Sequence, residues 1–109
     1  MSSQQPIAFI DGDYVELASA KISILDTGFF RSDVVYDVVS TWKGLFFRLD
    51  DHARRFLASA AGVRMECPHG SAQIKRILAE CVHRGGLQDA YVYMALTRDR
   101  KSTRLNSSH

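Results

Sequence analysis

The chain has 109 residues, 46% of them hydrophobic, which suits a single globular domain. The formal net charge is only +2 and the basic residues are scattered among acidic ones, so we do not expect a nucleic-acid-binding surface. The N-terminal MSSQQPIAF lacks the features of a signal peptide, and no apolar run is long enough to span a membrane, so we expect a cytoplasmic protein with no membrane partner.

The first half of the chain predicts two β-hairpins. Residues 8–10 and 14–15 favour short strands around an Asp-Gly turn, because Asp-Gly readily adopts the positive φ of a tight hairpin. A loop follows and ends at residues 26–28. Residues 34–42 are rich in β-branched and aromatic side chains and predict a longer strand, which Lys43-Gly44 turns back into a partner strand at residues 45–48.

A helix is predicted next, capped by Asp50 and stopped by Gly62. Its apolar stripe at helical spacing consists of Leu49, Ala53, Phe56, Leu57 and Ala60. On a helical wheel Arg55 lies on the far side from this stripe, beside His52 and Ser59. The wheel alone therefore favours a solvent-exposed guanidinium, although a guanidinium is also well suited to binding a phosphate.

The remainder predicts one more helix and one more strand. Ser71 is expected to cap a helix that ends at Gly85-Gly86, and residues 90–97 have the alternating pattern of a strand. The resulting order, four strands, two helices and a last strand, predicts an α+β fold.

Two cysteines do not make a disulfide framework, which agrees with a reducing compartment. The pairs Cys67-x-His69 and Cys81-x-His83 resemble halves of a zinc site. Side chains two residues apart on a helix point about 200° apart, however, so Cys81 and His83 cannot easily share one ion. We predict no metal site.

Residues 99–109, DRKSTRLNSSH, have no apolar periodicity and the composition of a disordered end. They also resemble the translation of a common sequencing adapter. We therefore expect residues 1–98 to form the natural domain and residues 99–109 to be a non-native tail. A genuine basic tail that contacts nucleic acid is the alternative.

Three segments carry a family resemblance: FIDG, then ISILDTGFFRSDVVYDVV, then FRLDDHARRF. In this order and at these separations they are similar to the N-terminal domain of the class IV aminotransferases, the fold-type-IV enzymes that depend on pyridoxal 5'-phosphate. The likeness covers residues 7–98. It implies an antiparallel sheet with two helices packed on it.

The resemblance also implies roles for three residues. The family signature H-x-x-R-[LF] matches the segment from His52 to Phe56, which implies that Arg55 holds the cofactor phosphate and that Arg54 is solvated. Arg31 and Tyr36 are implied at the substrate side of the cofactor. Val38 replaces a glycine usual in the branched-chain subfamily, and with Arg31 this favours the D-amino-acid and (R)-selective amine transaminases.

The implied activity is transfer of an amino group between an amino acid or amine and a 2-oxo acid, in a homodimer. Such enzymes need a lysine that bonds to the cofactor, and Lys21, Lys43 and Lys75 stand in no matching context. We therefore expect no catalytic residue in this chain, and no activity from it alone. Two alternatives stay open: a lyase of the aminodeoxychorismate type with the same fold and cofactor, and a non-catalytic α+β interaction module that pairs through its hairpin edge.

Overall fold

The computed structural model describes residues 5–98 of the chain. The described elements, in chain order, are β1 (Ile7–Ile10), β2 (Asp13–Glu16), a 3-10 turn (Leu17–Ser19), α1 (Thr27–Phe30), β3 (Val34–Trp42), β4 (Leu45–Phe46), α2 (Leu49–Gly62), α3 (Ser71–Gly85) and β5 (Tyr91–Thr97). The predicted α+β class is confirmed. The predicted tail, residues 99–109, lies outside the described residues, so the domain boundary at residue 98 stays a prediction.

The strands form two antiparallel sheets. β1 and β2 make a hairpin across Asp11 and Gly12, both of which have positive φ, as the Asp-Gly turn requires. The second sheet has the order β4-β3-β5, with β3 in the centre. β4 pairs only with Thr41 and Trp42, so most of β3 has a strand neighbour on the β5 side alone within residues 5–98.

The three-stranded sheet has two distinct faces, because side chains alternate along β3 and β5. The inner face carries buried residues, including Asp37 opposite Met94 and Val39 opposite Val92. We call the opposite side the outer sheet face. Its members are Val34, Tyr36, Val38, Ser40 and Trp42 of β3 and Tyr91, Tyr93, Ala95 and Thr97 of β5.

The core lies between the inner face, α2 and α3. α2 contributes buried Ala53, Phe56 and Ala60, with Leu49 and Leu57 packed against them, which confirms the predicted stripe. α3 packs against α2 and β1 and contributes its own apolar stripe. The buried residues of that stripe are Ile74, Ile77, Leu78, Cys81 and Val82.

Several predicted boundaries are wrong for reasons of backbone geometry. α2 begins one residue before Asp50, because Arg48 takes a left-handed conformation (φ 55) and occupies the N-cap position without a side-chain cap bond. The same turn ends β4 at Phe46, two residues earlier than predicted. Gly70, and not Ser71, is the N-cap of α3. The predicted stop at Gly85-Gly86 is confirmed, since Gly86 has φ 68 and ends the helix.

α1 falls where the sequence predicts a loop, and the structure shows why it forms. The buried carboxylate of Asp26 accepts a hydrogen bond from the Gly28 N–H at 2.8 Å, which caps the first turn. The same carboxylate accepts from the Thr97 hydroxyl at 3.4 Å. Gly28 lies so close to Thr97 that a Cβ at this position would overlap the threonine methyl group. α1 therefore packs on the end of β5.

Candidate functional site

The candidate site lies where the N-terminal half of α2 meets the free edge of β3. The left-handed Arg48 turns the chain sharply from β4 into α2, and its carbonyl accepts the His52 N–H at 3.1 Å. Residues three apart on a helix share a side, so His52 and Arg55 both project toward β3. Asp37 on β3 meets both of them.

Asp37 is a buried carboxylate with four hydrogen-bonding contacts. Its side chain is only 5% exposed, because the alternation of β3 directs it to the inner face. Arg55 donates to it twice, from Nε to Oδ2 and from Nη2 to Oδ1, both at 2.7 Å. The Val38 N–H donates to Oδ1 at 2.8 Å, and His52 Nδ1 lies 2.9 Å from the same oxygen. This set of donors compensates the cost of burying the charge.

The electrostatics of the group follow from these contacts. The hydrogen bonds from Arg55, aided by those from His52 and Val38, lower the pKa of Asp37 from 3.8 to about 2, although burial acts in the opposite direction. Asp37 is therefore ionised at neutral pH and can only accept hydrogen bonds. His52 Nδ1, the atom that faces the carboxylate, is therefore the donor of this pair. The same pair raises the pKa of Arg55 above its ordinary value.

An open cleft borders this group, and we call it the α2 cleft. It has a volume of about 340 Å³ and is lined by Phe47, Arg48, Asp51, His52 and Arg55. Asp51 pairs with Arg48, Nε to Oδ2 at 2.7 Å, and also with Arg54. Three guanidinium groups thus face two carboxylates, those of Asp37 and Asp51, at this end of α2. The cleft is suited to a small anion.

Arg55 is both bonded and accessible. Its side chain is 65% exposed, as the helical wheel predicted, yet two of its five N–H donors are directed to Asp37. The remaining donors lie on edges of the planar group away from the carboxylate. Arg54 pairs only with the exposed Asp51 among the bonds described, in agreement with its predicted solvated position. The role of Arg55 in phosphate binding stays a prediction.

Tyr36 lies on the other side of the sheet from the inner-face carboxylate, and Arg31 follows α1 at the end of β5. Tyr36 is 68% exposed on the outer sheet face, one residue before Asp37. Arg31 is the C-cap of α1, which packs on Thr97 at one end of that face, and its guanidinium lies 5.9 Å from the Phe30 ring centre. Tyr36 therefore lies on the outer side of β3, whereas Arg55 is bonded to Asp37 on its inner side.

Two residues of the site, Asp37 and His52, belong to sequence patterns noted above, but those patterns predicted no role for them. Asp37 is the acidic member of the V-Y-[DE] segment, and its inward strand position between Val35 and Val39 marked it as a charge in an apolar pattern. His52 opens the H-x-x-R signature. The contacts of Asp37 with His52 and Arg55 could not be predicted from spacing, because they join residues 15 and 18 positions apart on different elements.

Arg98, at the end of β5, has a structural set of partners. Its Nε donates to Asp33 Oδ2 at 2.8 Å, and its two terminal nitrogens donate to the carbonyls of Arg64 and Val63 at 3.1 and 2.6 Å. These bonds connect the end of β5 with the start of β3 and the end of α2. Arg98 therefore has a structural role, because its hydrogen bonds hold these three elements in contact.

The Cys-x-His pairs do not meet. Cys81 is buried in the core on α3, whereas His83 is exposed two residues later on the same helix. Within residues 5–98, no three His, Cys, Asp or Glu side chains are arranged as a metal ion would need. In the same part of the chain, no helix has the length and apolar character to cross a membrane.

Comparison with known proteins assigns the family. The family described as amino-transferase class IV matches residues 34–109, more than half of the chain. The D-alanine aminotransferase of Listeria monocytogenes serotype 1/2a (strain 10403S) is 30% identical over 95 residues, which are 87% of this chain and 33% of that protein. A putative branched-chain-amino-acid aminotransferase of Methanocaldococcus jannaschii is 27% identical over 90 residues, 83% of this chain and 31% of that protein. This chain belongs to the class IV amino-transferase family and spans about a third of the length of these relatives.

Solved structures share the fold. The branched-chain amino acid aminotransferase from Escherichia coli superposes with a TM-score of 0.88 at 14% identity, over 97% of this chain and 41% of that one. The T.th. branched-chain amino acid aminotransferase with pyridoxamine 5'-phosphate superposes with a TM-score of 0.86 at 23% identity, over 96% of this chain and 40% of that one. The predicted fold, that of the N-terminal domain of fold-type-IV enzymes, is confirmed.

Proposed function

We propose that this chain supplies a phosphate-binding arginine, Arg55, to an aminotransferase that depends on pyridoxal 5'-phosphate. The observation that carries the proposal is the arrangement of Arg55 itself: a guanidinium bonded on one side to the buried Asp37 and accessible on the other side at the α2 cleft. Family membership supports the identity of the anion. The parent protein would transfer an amino group between an amino acid or amine and a 2-oxo acid.

The described residues fit the phosphate end of the cofactor. The α2 cleft offers Arg55 and Arg48 to a dianion, and guanidinium groups bind phosphate oxygens through charge-assisted hydrogen bonds. When bound, the cofactor supplies an electron sink for the reaction. None of the lysines in the described part of the chain lies at this cleft: Lys43 is in the β3–β4 turn beside Trp42, and Lys75 pairs with Asp50. We therefore propose that the chain alone is inactive and that residues 1–98 are the N-terminal domain of a longer enzyme.

We also propose that Arg31 and Tyr36 line the substrate side of the site. Both side chains are exposed. On its β4 side, β3 has no strand neighbour at Tyr36 among the described residues, so a substrate bound at this edge can contact both faces of the strand. A cationic residue there suits a carboxylate of an amino acid or 2-oxo acid. The similarity to D-alanine aminotransferases supports a D-amino acid as donor.

Location and assembly are further inferences from family membership and composition. We infer a cytoplasmic enzyme, supported by Cys67 and Cys81, which are not joined in a disulfide. We also infer a homodimer, supported by the exposed aromatic residues of the outer sheet face. Size-exclusion chromatography with light scattering on the enzyme expressed from the complete reading frame checks the dimer.

The role of Arg55 is tested by ligand binding to the 109-residue chain. Pyridoxamine 5'-phosphate is the probe, because its amine does not react with lysines as an aldehyde does, and pyridoxamine is the matched ligand without phosphate. Since hydrogen bonds to charged groups contribute about 1.5–3 kcal/mol, Arg55→Gln should weaken binding of the phosphorylated ligand by roughly tenfold or more. Arg54→Gln, the neighbouring control, should leave it unchanged.

Titrations followed by NMR or calorimetry give the dissociation constants. Pyridoxamine should bind equally to the wild type and both variants, because the change removes only a phosphate contact. Equal binding of pyridoxamine 5'-phosphate to the Arg55→Gln and Arg54→Gln chains would contradict the proposal. In the complete enzyme, turnover of D-alanine against L-alanine with a 2-oxo acid tests the activity and the donor.

A further inference from the structure

We infer that Asp37 is a positioning residue that holds the Arg55 guanidinium in place for a phosphate dianion, so that a carboxylate outside the ligand's reach sets the affinity of the α2 cleft. This inference rests on the proposed function of Arg55. The inference adds Asp37 of β3 to a site in which the proposed phosphate contact, Arg55, lies on α2.

The geometry of the pair fixes the guanidinium in direction and in rotation. Two parallel bonds, from Nε to Oδ2 and from Nη2 to Oδ1, are both 2.7 Å long. A single bond would leave the planar group free to turn about that contact, whereas the two-bond pair defines its plane. The donors not used by Asp37 then keep a constant direction.

Asp37 is itself unable to move away. Its side chain is 5% exposed and is further bonded by the Val38 N–H at 2.8 Å and by His52 Nδ1 at 2.9 Å. It also stands on β3 opposite Met94, within the run of residues that pairs with β5. A carboxylate held in this way transfers the rigidity of the sheet to an otherwise flexible arginine side chain.

The neighbouring arginines are held differently. Arg48 and Arg54 both pair with Asp51, whose side chain is 41% exposed, and they are themselves 66% and 70% exposed. Exposed pairs of this kind contribute little order, because water competes for both partners. Of these three guanidinium groups at the start of α2, Arg55 is the one bonded to a buried carboxylate.

Asp37 has a second effect, of opposite sign. Its negative charge repels an anion in the cleft, so removing the charge would by Coulomb's law alone strengthen phosphate binding. That repulsion acts across the positively charged guanidinium, which offsets it. Salt weakens it only in part, because the distance is shorter than the Debye length of about 8 Å at 0.15 M ionic strength. The positioning effect acts at contact distance. We therefore expect the positioning effect to exceed the repulsion at 0.15 M salt. Asp37→Asn should then weaken phosphate binding, whereas tighter binding would mean that the repulsion is the larger effect.

The first measurement uses the unaltered 109-residue chain. The NMR signal of the Arg55 Nε–H is expected to exchange with water at least about tenfold more slowly than that of Arg54, because only the former proton is bonded to a buried carboxylate. Equal exchange of the two arginines would overturn the inference. This measurement needs no variant, so a chain that fails to fold after substitution does not remove the test.

The second measurement is a set of dissociation constants for pyridoxamine 5'-phosphate at 0.15 M salt. Asp37→Asn is expected to weaken binding about fivefold, within the range of coupling between residues in contact. Asp37→Glu, which keeps the carboxylate, should recover most of the loss. Asp50→Asn is the charge-matched control, since Asp50 pairs with Lys75 and does not line the cleft. Unphosphorylated pyridoxamine should bind equally to all variants.

A double-variant cycle separates positioning from a general loss of structure. In the Arg55→Gln background, Asp37→Asn should not weaken binding further, because the positioning effect acts through Arg55. Loss of the repulsion should leave the dissociation constant there equal or slightly lower. Undiminished weakening in that background would overturn the inference, and so would tighter or unchanged binding by the Asp37→Asn single variant. If Arg55→Gln itself has no effect, the proposed function fails; if it weakens binding and Asp37→Asn does not, only the positioning inference fails.

Discussion

At the scale of single residues, Asp37 shows how a charge can be placed in an apolar sheet face. A carboxylate without partners would be neutralised by burial, because desolvation raises its pKa. Here the Arg55, His52 and Val38 hydrogen bonds outweigh desolvation, and the pKa falls to about 2. The charge therefore persists at all pH values at which proteins usually work. An ionised Asp37 in turn accepts hydrogen bonds from both Arg55 and His52 Nδ1.

The lowered pKa predicts an acid-dependent stability that belongs to Asp37. A group whose pKa is lower in the folded state stabilises the fold above its unfolded pKa, 3.8, and that contribution is lost as the pH falls through about 2. The difference corresponds to about 2 kcal/mol at 1.36 kcal/mol per unit of pKa. Asp37→Asn should lower the free energy of unfolding at pH 7 by about this amount and remove the corresponding loss between pH 4 and 2.

Urea unfolding of the 109-residue chain at pH 7, 4 and 2.5 measures this dependence. Glu80→Gln serves as the control, because Glu80 pairs with Arg84 on the exposed side of α3 and its removal should leave the acid-dependent loss of Asp37 intact. If the free energy of unfolding of the wild type and of Asp37→Asn fell in parallel between pH 4 and 2.5, Asp37 would not be the source of the acid-dependent loss.

At the scale of elements, the position of Arg31 depends on the contact between α1 and β5. α1 has only four residues, so it cannot persist by its own hydrogen bonds and requires the Asp26 cap and the Thr97 contact. Gly28 makes that contact possible, because a larger residue would overlap the Thr97 methyl group. A change at Gly28 therefore acts on the candidate substrate side without altering any residue proposed to contact substrate.

Gly28→Ala is expected to displace α1 and to lower the free energy of unfolding by about 1–3 kcal/mol, the usual cost of overpacking. Gly62→Ala is the matched control, since Gly62 is the last helical residue of α2 and has open space around its Cα. That change should be neutral or should stabilise the chain by up to about 1 kcal/mol. Thermal unfolding measures both variants, and hydrogen exchange of the Gly28 N–H reports on α1. Equal stability of the two variants would contradict this packing argument.

The sequence predicted those elements whose pattern repeats over many residues. β3 was predicted over its full length from β-branched and aromatic residues, and the stripe of α2 from its helical spacing. α1 is too short to have a periodicity, and the start of α2 depends on the left-handed backbone of Arg48, which no residue preference indicates. For the candidate site, periodicity gave the exposure of Arg55, whereas its bond to Asp37 is a tertiary contact that only the packing of α2 on β3 creates.

At the scale of the whole molecule, the outer sheet face leaves large aromatic side chains in solvent. Tyr36, Trp42, Tyr91 and Tyr93 are all exposed there, and Phe29 and Phe30 of α1 are exposed as well. Clusters of exposed apolar side chains often mark an interface. The chain spans about a third of the length of these relatives.

In the 109-residue chain this face should cause self-association that increases with concentration. Tyr91→Lys adds a charge to the outer sheet face next to Tyr93 and should weaken association by about tenfold or more, as expected for loss of an aromatic residue from an interface. Val63→Lys, at an exposed apolar position at the end of α2, is the control and should have little effect.

Sedimentation velocity over a range of concentrations measures the association. The fluorescence of Trp42, the single tryptophan, reports on the same face and should shift to shorter wavelength as the chains associate. The free energy of unfolding should be the same for both lysine variants, because neither side chain belongs to the core. The prediction is wrong if the wild-type chain stays monomeric. It is also wrong if the Tyr91→Lys and Val63→Lys variants associate equally, because the chains would then not self-associate through the outer sheet face.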